Sequence, residues 1–152
     1  MNKKKPRVVI DTNLFISGVI LPRGPLAELL DMWLKQLFIL VIARKLIEEL
    51  YEVLHRPKFT RYNVTEERIT TIIEFIKKNS EKAPFLQQLP LIVRDSKDEK
   101  VLACALGGKV DYLVTGDEDL LTLNGDPKLG TLKIIKVKDF LTIITTPIKK
   151  WN

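Results

Sequence analysis

Val8-Val9-Ile10 is an unbroken apolar stretch that stops at a carboxylate, Asp11. A strand that is apolar on both faces must be covered on both faces, which is the situation of a strand inside a parallel sheet flanked by helices. A second stretch, Tyr112-Leu113-Val114-Thr115, ends the same way, with Asp117 one glycine further on. These two segments restrict the chain to an α/β arrangement, and the rest of the sequence agrees. Phe38–Ile42 is strand-like, and Leu132–Val137 is a final strand. Pro25 suits the first turn of a helix running to about Gln36. Ala43–Leu54 carries its apolar residues at the spacing of one helix face and is stopped by Pro57. Thr65 can cap a helix that has Glu66 and Glu67 in its first turn and Lys77 and Lys78 in its last. Ser96-x-x-Glu99 reads as a capping box opening a helix that ends at Gly107-Gly108. Thr12–Gly24, closed by Pro22, Gly24 and Pro25, reads as a loop or broken helical turn. Leu91-Ile92-Val93 fits either element type, and Lys138–Ile144 is a short helix or extension.

Strands alternating with helices predict a single-domain α/β/α sandwich with a mainly parallel central sheet. At 152 residues the chain is about one domain long, and no Pro-, Gly- or Ser-rich linker divides it. The expected organisation is a basic tail over 1–6, the domain over 7–144 and a C-terminal tail over 145–152.

Several chemistries are excluded early. One cysteine, Cys104, and one histidine, His55, cannot build a disulfide or a structural zinc site. No nucleophile elbow, P-loop or dinucleotide fingerprint is present. The longest apolar run, Leu37–Ala43, is far short of the roughly 20 residues of a membrane-spanning helix. No long apolar stretch or cleavage site follows Lys3, Lys4, Lys5 and Arg7, so no secretory signal is expected and a cytoplasmic location is. The net charge is +6. Lys3, Lys4, Lys5, Arg7, Lys149 and Lys150 account for the excess, so it is a weak pointer to nucleic acid. What remains is carboxylate chemistry, with a hard metal bound by oxygen.

The acids have characteristic positions. Asp11 and Asp117 follow strands, where open parallel sheets build their sites; each also suits a helix N-cap or turn. With about 100° per residue, Glu49 lies roughly 110° from the centre of the apolar face of Ala43–Leu54, while Glu48 and Glu52 lie on the opposite face. Glu49 is therefore the acid of that helix best placed to reach a cleft, its alternative being a solvated charge. On the Ser96–Leu106 helix Asp98 falls within the apolar stripe, and Glu99 has a capping task of its own.

Asp11-Thr12-Asn13 after a basic-then-apolar start, Glu48-Glu49-Leu50, Asp95-Ser96-Lys97-Asp98 before an Ala-rich helix, and Tyr112-Leu113-Val114-Thr115-Gly116-Asp117-Glu118-Asp119-Leu120 occur in that order. Together, over about Arg7 to Ile144, they resemble the PIN domain, in particular the branch of prokaryotic toxin–antitoxin toxins. The resemblance implies a metal-dependent ribonuclease with the acidic quartet Asp11, Glu49, Asp98 and Asp117, Asp119 as an auxiliary, and Asn13 and Thr115 in support. In other branches the third acid aligns one residue later, at Glu99. Mg²⁺ or Mn²⁺ is the implied cofactor, one ion or two, supplying a nucleophilic water and relief of phosphate charge. Single-stranded RNA is the implied substrate, with an antitoxin and a second copy of the chain as partners.

Arg56, Lys58 and Arg61, interleaved with Phe59 and Tyr62, suit phosphate contact and base stacking, or a loop whose aromatics pack. Arg94 and Lys100 flank the third acid, where they either meet phosphate or balance local charge. Met32 and Trp33 read as core or interface, and His55 as structural. Three rivals compete. Asp11-x-Asn13 with Asp117 and Asp126 resembles a haloacid dehalogenase-type phosphatase, although Asn13 stands where that loop carries its second acid. The others are a catalytically silent PIN-like RNA- or partner-binding module and a receiver-like acidic pocket.

Overall fold

The computed structural model describes residues 5–21 and 23–145; Lys3, Lys4, Pro22, Lys149, Lys150 and nearly all of the expected C-terminal tail lie outside them. The elements run β1 (Arg7–Ile10), α1 (Thr12–Ile20), α2 (Pro25–Leu34), β2 (Ile39–Ile42), α3 (Arg44–Leu54), α4 (Glu66–Asn79), β3 (Ser80–Lys82), α5 (Ser96–Gly107), β4 (Tyr112–Val114), α6 (Glu118–Leu121), β5 (Lys133–Ile135) and α7 (Val137–Thr145). The five strands form one wholly parallel sheet in the order β3-β2-β1-β4-β5.

Strand β1 is central. Val8 faces Leu40 of β2 on one side, and Val9 faces Leu113 of β4 on the other. Val8, Val9, Leu113, Val114 and Ile134 are essentially sealed from solvent, as both-sided apolar strands must be. The chain moves outward from β1 first in one direction and then in the other, so a crevice opens beyond the carboxyl ends of β1 and β4. Asp11 and Asp117 leave the sheet at that crevice.

Five features depart from the sequence reading. Thr12–Ile20 is a regular helix rather than a loop. Asp11 caps it by accepting the Asn13 N–H, and Phe15, Ile16 and Val19 bury themselves. Gly18 lowers its helix propensity but is required by packing: a Cβ there would sit 2.9 Å from the Leu26 carbonyl and from Leu30 Cδ1. Helix α2 stops at Leu34, and Gln36 takes a left-handed φ of 60°. Strand β3 carries no apolar run because it is the polar edge of the sheet. Helix α5 is capped by Asp95, whose side chain accepts the Lys97 N–H, not by a Ser96–Glu99 box; Glu99 is exposed. Leu91–Val93 forms no helix or strand.

Arg7 belongs to the sheet rather than to a tail. Its guanidinium pairs with Glu81 at 2.7 Å and donates to the carbonyls of Gly108 and Lys109. Trp33 is buried edge-on against Phe15 and Phe75, and Met32 packs beside the core. His55 is held by the Tyr51 carbonyl and the Glu66 carboxylate, which together raise its pKa above the ordinary value. No helix among the described residues is long and apolar enough to cross a membrane. A cavity of about 910 Å³ lies between α1, α2 and α4, lined by Val19, Leu30, Trp33 and Phe75 among others. None of the site's acids lines it.

Candidate metal centre

Asp11 is the first residue after β1, and its own N–H still donates to Val114 O across the sheet at 2.9 Å. That bond fixes its backbone, and the residue is 6% exposed. One carboxylate oxygen accepts the Asn13 N–H at 3.1 Å, and the other accepts the Thr115 hydroxyl at 2.8 Å. Thr115 is fully buried, and its oxygen in turn accepts the Asp117 N–H at 3.1 Å. A single hydroxyl thus ties the acid after β1 to the backbone of the acid after β4. Asp117 caps α6 through the Asp119 N–H, so both strand-end acids cap helices and face the crevice as well. The Asn13 side chain is exposed, and its part in the site is the backbone N–H.

Replacing Thr115 with Val keeps the shape but leaves the Asp117 N–H and one Asp11 oxygen without their partner. Stability is expected to fall by about 1–3 kcal/mol, with Ser restoring most of it, as read by urea unfolding. Equal stability of the Val and wild-type proteins would remove this link.

Asp98 enters from α5. It is 5% exposed, and its Oδ2 is buried without a hydrogen-bond partner. An orphaned buried carboxylate oxygen is costly unless a proton or a cation serves it. Burial is the main cause that pushes the Asp98 carboxyl up to about 7; the neighbouring Asp117 carboxylate adds to it, then Asp95 and Asp11. Oxygens of Asp98, Asp117 and Asp119 all lie within 4.8 Å of one another. This all-oxygen cluster, with one buried acceptor unserved, fits a hard divalent cation.

Glu49 is not part of that trio. It is half-buried on α3 and forms an ion pair with Lys100 of α5 at 2.5 Å. Glu99 shares the cleft between these helices with Glu49 and Lys100. On the opposite flank, Arg94 donates to Asp119 at 3.4 Å. Sequence reasoning saw both cations but not their partners, because the Glu49–Lys100 contact joins residues 51 apart. Arg56, Lys58 and Arg61 are exposed on a 3-10 turn over Pro57–Tyr62. Lys58 lies over the Phe59 ring and Arg61 over the Tyr62 ring, each at 5.1 Å, while Phe59 packs against the core. Cys104 is no nucleophile: burial pushes its thiol up to about 11.

A wholly parallel sheet with acids gathered beyond the ends of its central strands defines a class of metal-compatible, nuclease-like α/β domains. The profile of the PIN domain matches residues 7–119, and the chain belongs to that family. Its members are generally metal-dependent nucleases. The chain is also 30% identical over 138 residues to an uncharacterized protein of Methanocaldococcus jannaschii, covering 91% of this chain and 88% of the relative. Family membership sets aside the phosphatase and receiver-like readings.

Proposed function

We propose that this protein is a Mg²⁺- or Mn²⁺-dependent endoribonuclease that cuts single-stranded RNA. The observation that carries the reading is the buried, unpartnered Oδ2 of Asp98 within a cluster of carboxylates. Asp11, Asp98 and Asp117 are the ligands in this reading, with Asp119 beside them and Glu49 joining from α3. The ion, when bound, supplies an activated water and neutralises phosphate charge. Thr115 and the Asn13 N–H hold Asp11 in the orientation a ligand needs, and the sheet holds Asp11 and Asp117 at fixed separation. Arg56, Lys58 and Arg61 serve as outlying phosphate contacts.

The resemblance to toxin–antitoxin toxins supports a finer reading: a cytoplasmic toxin, dimeric, neutralised by a small antitoxin. Purified protein is expected to degrade single-stranded RNA with Mn²⁺ or Mg²⁺ and to stop on addition of chelator. Asp11→Asn should fold normally and lose about two orders of magnitude in rate, the scale of losing one charge-stabilising group. RNA cleavage that persists in chelator would overturn the metal-dependent reading.

A further inference from the structure

Two cations border the acids, and each is engaged with a carboxylate on the rim. Arg94, in the irregular segment before α5, reaches Asp119 of the trio through a single 3.4 Å contact, with its side chain 85% exposed. Lys100, two residues beyond Asp98, reaches Glu49 with its side chain half exposed. Exposed ion pairs of this kind are weak. A divalent ion bound by the same carboxylates is a far stronger partner, and both cations would have to give way to it. Both have long flexible stems, Arg94 beside the trio and Lys100 in the cleft between α3 and α5, and each would then be released from the carboxylate it now contacts. An arginine fork and a lysine ammonium are the two side chains best suited to phosphate oxygens.

We propose that Arg94 and Lys100 are phosphate-binding residues that compete with the divalent ion for Asp119 and Glu49, so that metal binding delivers both cations to the RNA backbone. This rests on the ribonuclease reading above. The same exchange sets an order. The acid cluster repels a polyanion, whereas the ion neutralises the acids and frees two positive charges beside them. Metal and RNA binding are therefore positively coupled, and by linkage each strengthens the other by the same factor.

The test measures two affinities separately in wild type, Arg94→Ala, Lys100→Ala and Arg94→Lys. Mn²⁺ binding is followed by electron paramagnetic resonance without nucleic acid. Binding of a fluorescein-labelled, 2′-O-methyl single-stranded RNA is followed by anisotropy, with and without Mn²⁺, across a salt series. Each Ala variant is expected to bind Mn²⁺ about two- to fivefold more tightly, because a competing cation is gone. Each should bind the oligonucleotide more weakly in Mn²⁺, with the slope of log affinity against log salt reduced by about 0.7. Arg94→Lys should recover the slope. Opposite signs in the two assays are the signature, since a merely structural role would weaken both. Ala variants that bind Mn²⁺ no more tightly than wild type, or keep the wild-type salt slope, overturn the inference and leave the ribonuclease reading standing. Wild-type protein that binds no Mn²⁺ overturns both.

Discussion

Asp98→Asn is expected to abolish metal-dependent RNA cleavage, by about two orders of magnitude or more, and to make the protein more stable at neutral pH. The two effects share one cause. The folded carboxyl titrates at about 7, against an ordinary 3.8. A group whose folded pKa is raised contributes stability that is complete below the unfolded value and is lost as pH rises through the folded one. Wild type therefore loses stability between about pH 4 and pH 7, as the buried carboxylate is forced to ionise beside Asp117. Asn is neutral throughout. Its advantage is bounded by about 1.4 kcal/mol for each pH unit separating the two values, with solvent and counterions reducing the measured gap. Chemical unfolding at pH 5 and pH 8 in chelator should show the variant's lead widening with pH. Mn²⁺ should then reverse the order at pH 8 by stabilising wild type alone. Glu99→Ala, which removes no cap and no buried contact, is expected to stay within about 0.5 kcal/mol of wild type and to retain activity. A lead that shrinks as pH rises would show that Asp98 is not the strained acid, and activity lost in the Glu99 variant would move the third ligand to that residue.

The second large effect lies at the other end of α5. Gly107→Ala would ordinarily stabilise a helix by up to about 1 kcal/mol. Here the sign is expected to reverse. A Cβ on Gly107 would lie 2.0 Å from the Pro84 carbonyl oxygen and 2.8 Å from the Leu86 nitrogen, both backbone atoms. No rotamer change relieves such contacts, so the segment must lift away and the Leu86 N–H to Ala103 O bond, 2.9 Å, goes with it. Overpacking and a lost backbone hydrogen bond together should cost about 2–4 kcal/mol. Gly116→Ala is the control: the sole neighbour within 4 Å of its Cβ is Leu14 Cδ2 at 3.8 Å. Thermal unfolding of the two variants should differ by many degrees, and equal midpoints would mean that the 84–86 backbone yields freely.

The parallel sheet was readable because β1 and β4 are apolar on both faces and end at acids, a pattern that constrains layering as well as strand type. Helix α3 was readable from the period of its apolar face, and α4 from its cap and terminal charges. Strand β3 was hidden because an edge strand needs no apolar run; its pairing with β2 is decided by the fold. Helix α1 was hidden because Gly18 and β-branched residues depress its local preference, while close packing on α2 restores it. At the site, the inward placement of Asp98 was legible from helix geometry. The cap was misread by one residue because Asp95 and Ser96 are both good N-caps, and the difference is a single backbone bond. The partners of Glu49 and Asp119 were beyond reach, since ion pairs between distant elements leave no local signal.

The hydroxyl bridge from Thr115 to Asp11 spans 104 positions of chain, and β1 gains its second neighbour only when Tyr112–Val114 arrives. On a ribosome that adds about 5–20 residues each second, Asp11 emerges early and waits several seconds for its counterpart. A nascent chain of 100 residues has the first acid but neither Thr115 nor Asp117, and so cannot assemble the centre. On the ribonuclease reading proposed above, the chain is therefore expected to be inert while it is being made beside the ribosome's own RNA and the message that encodes it.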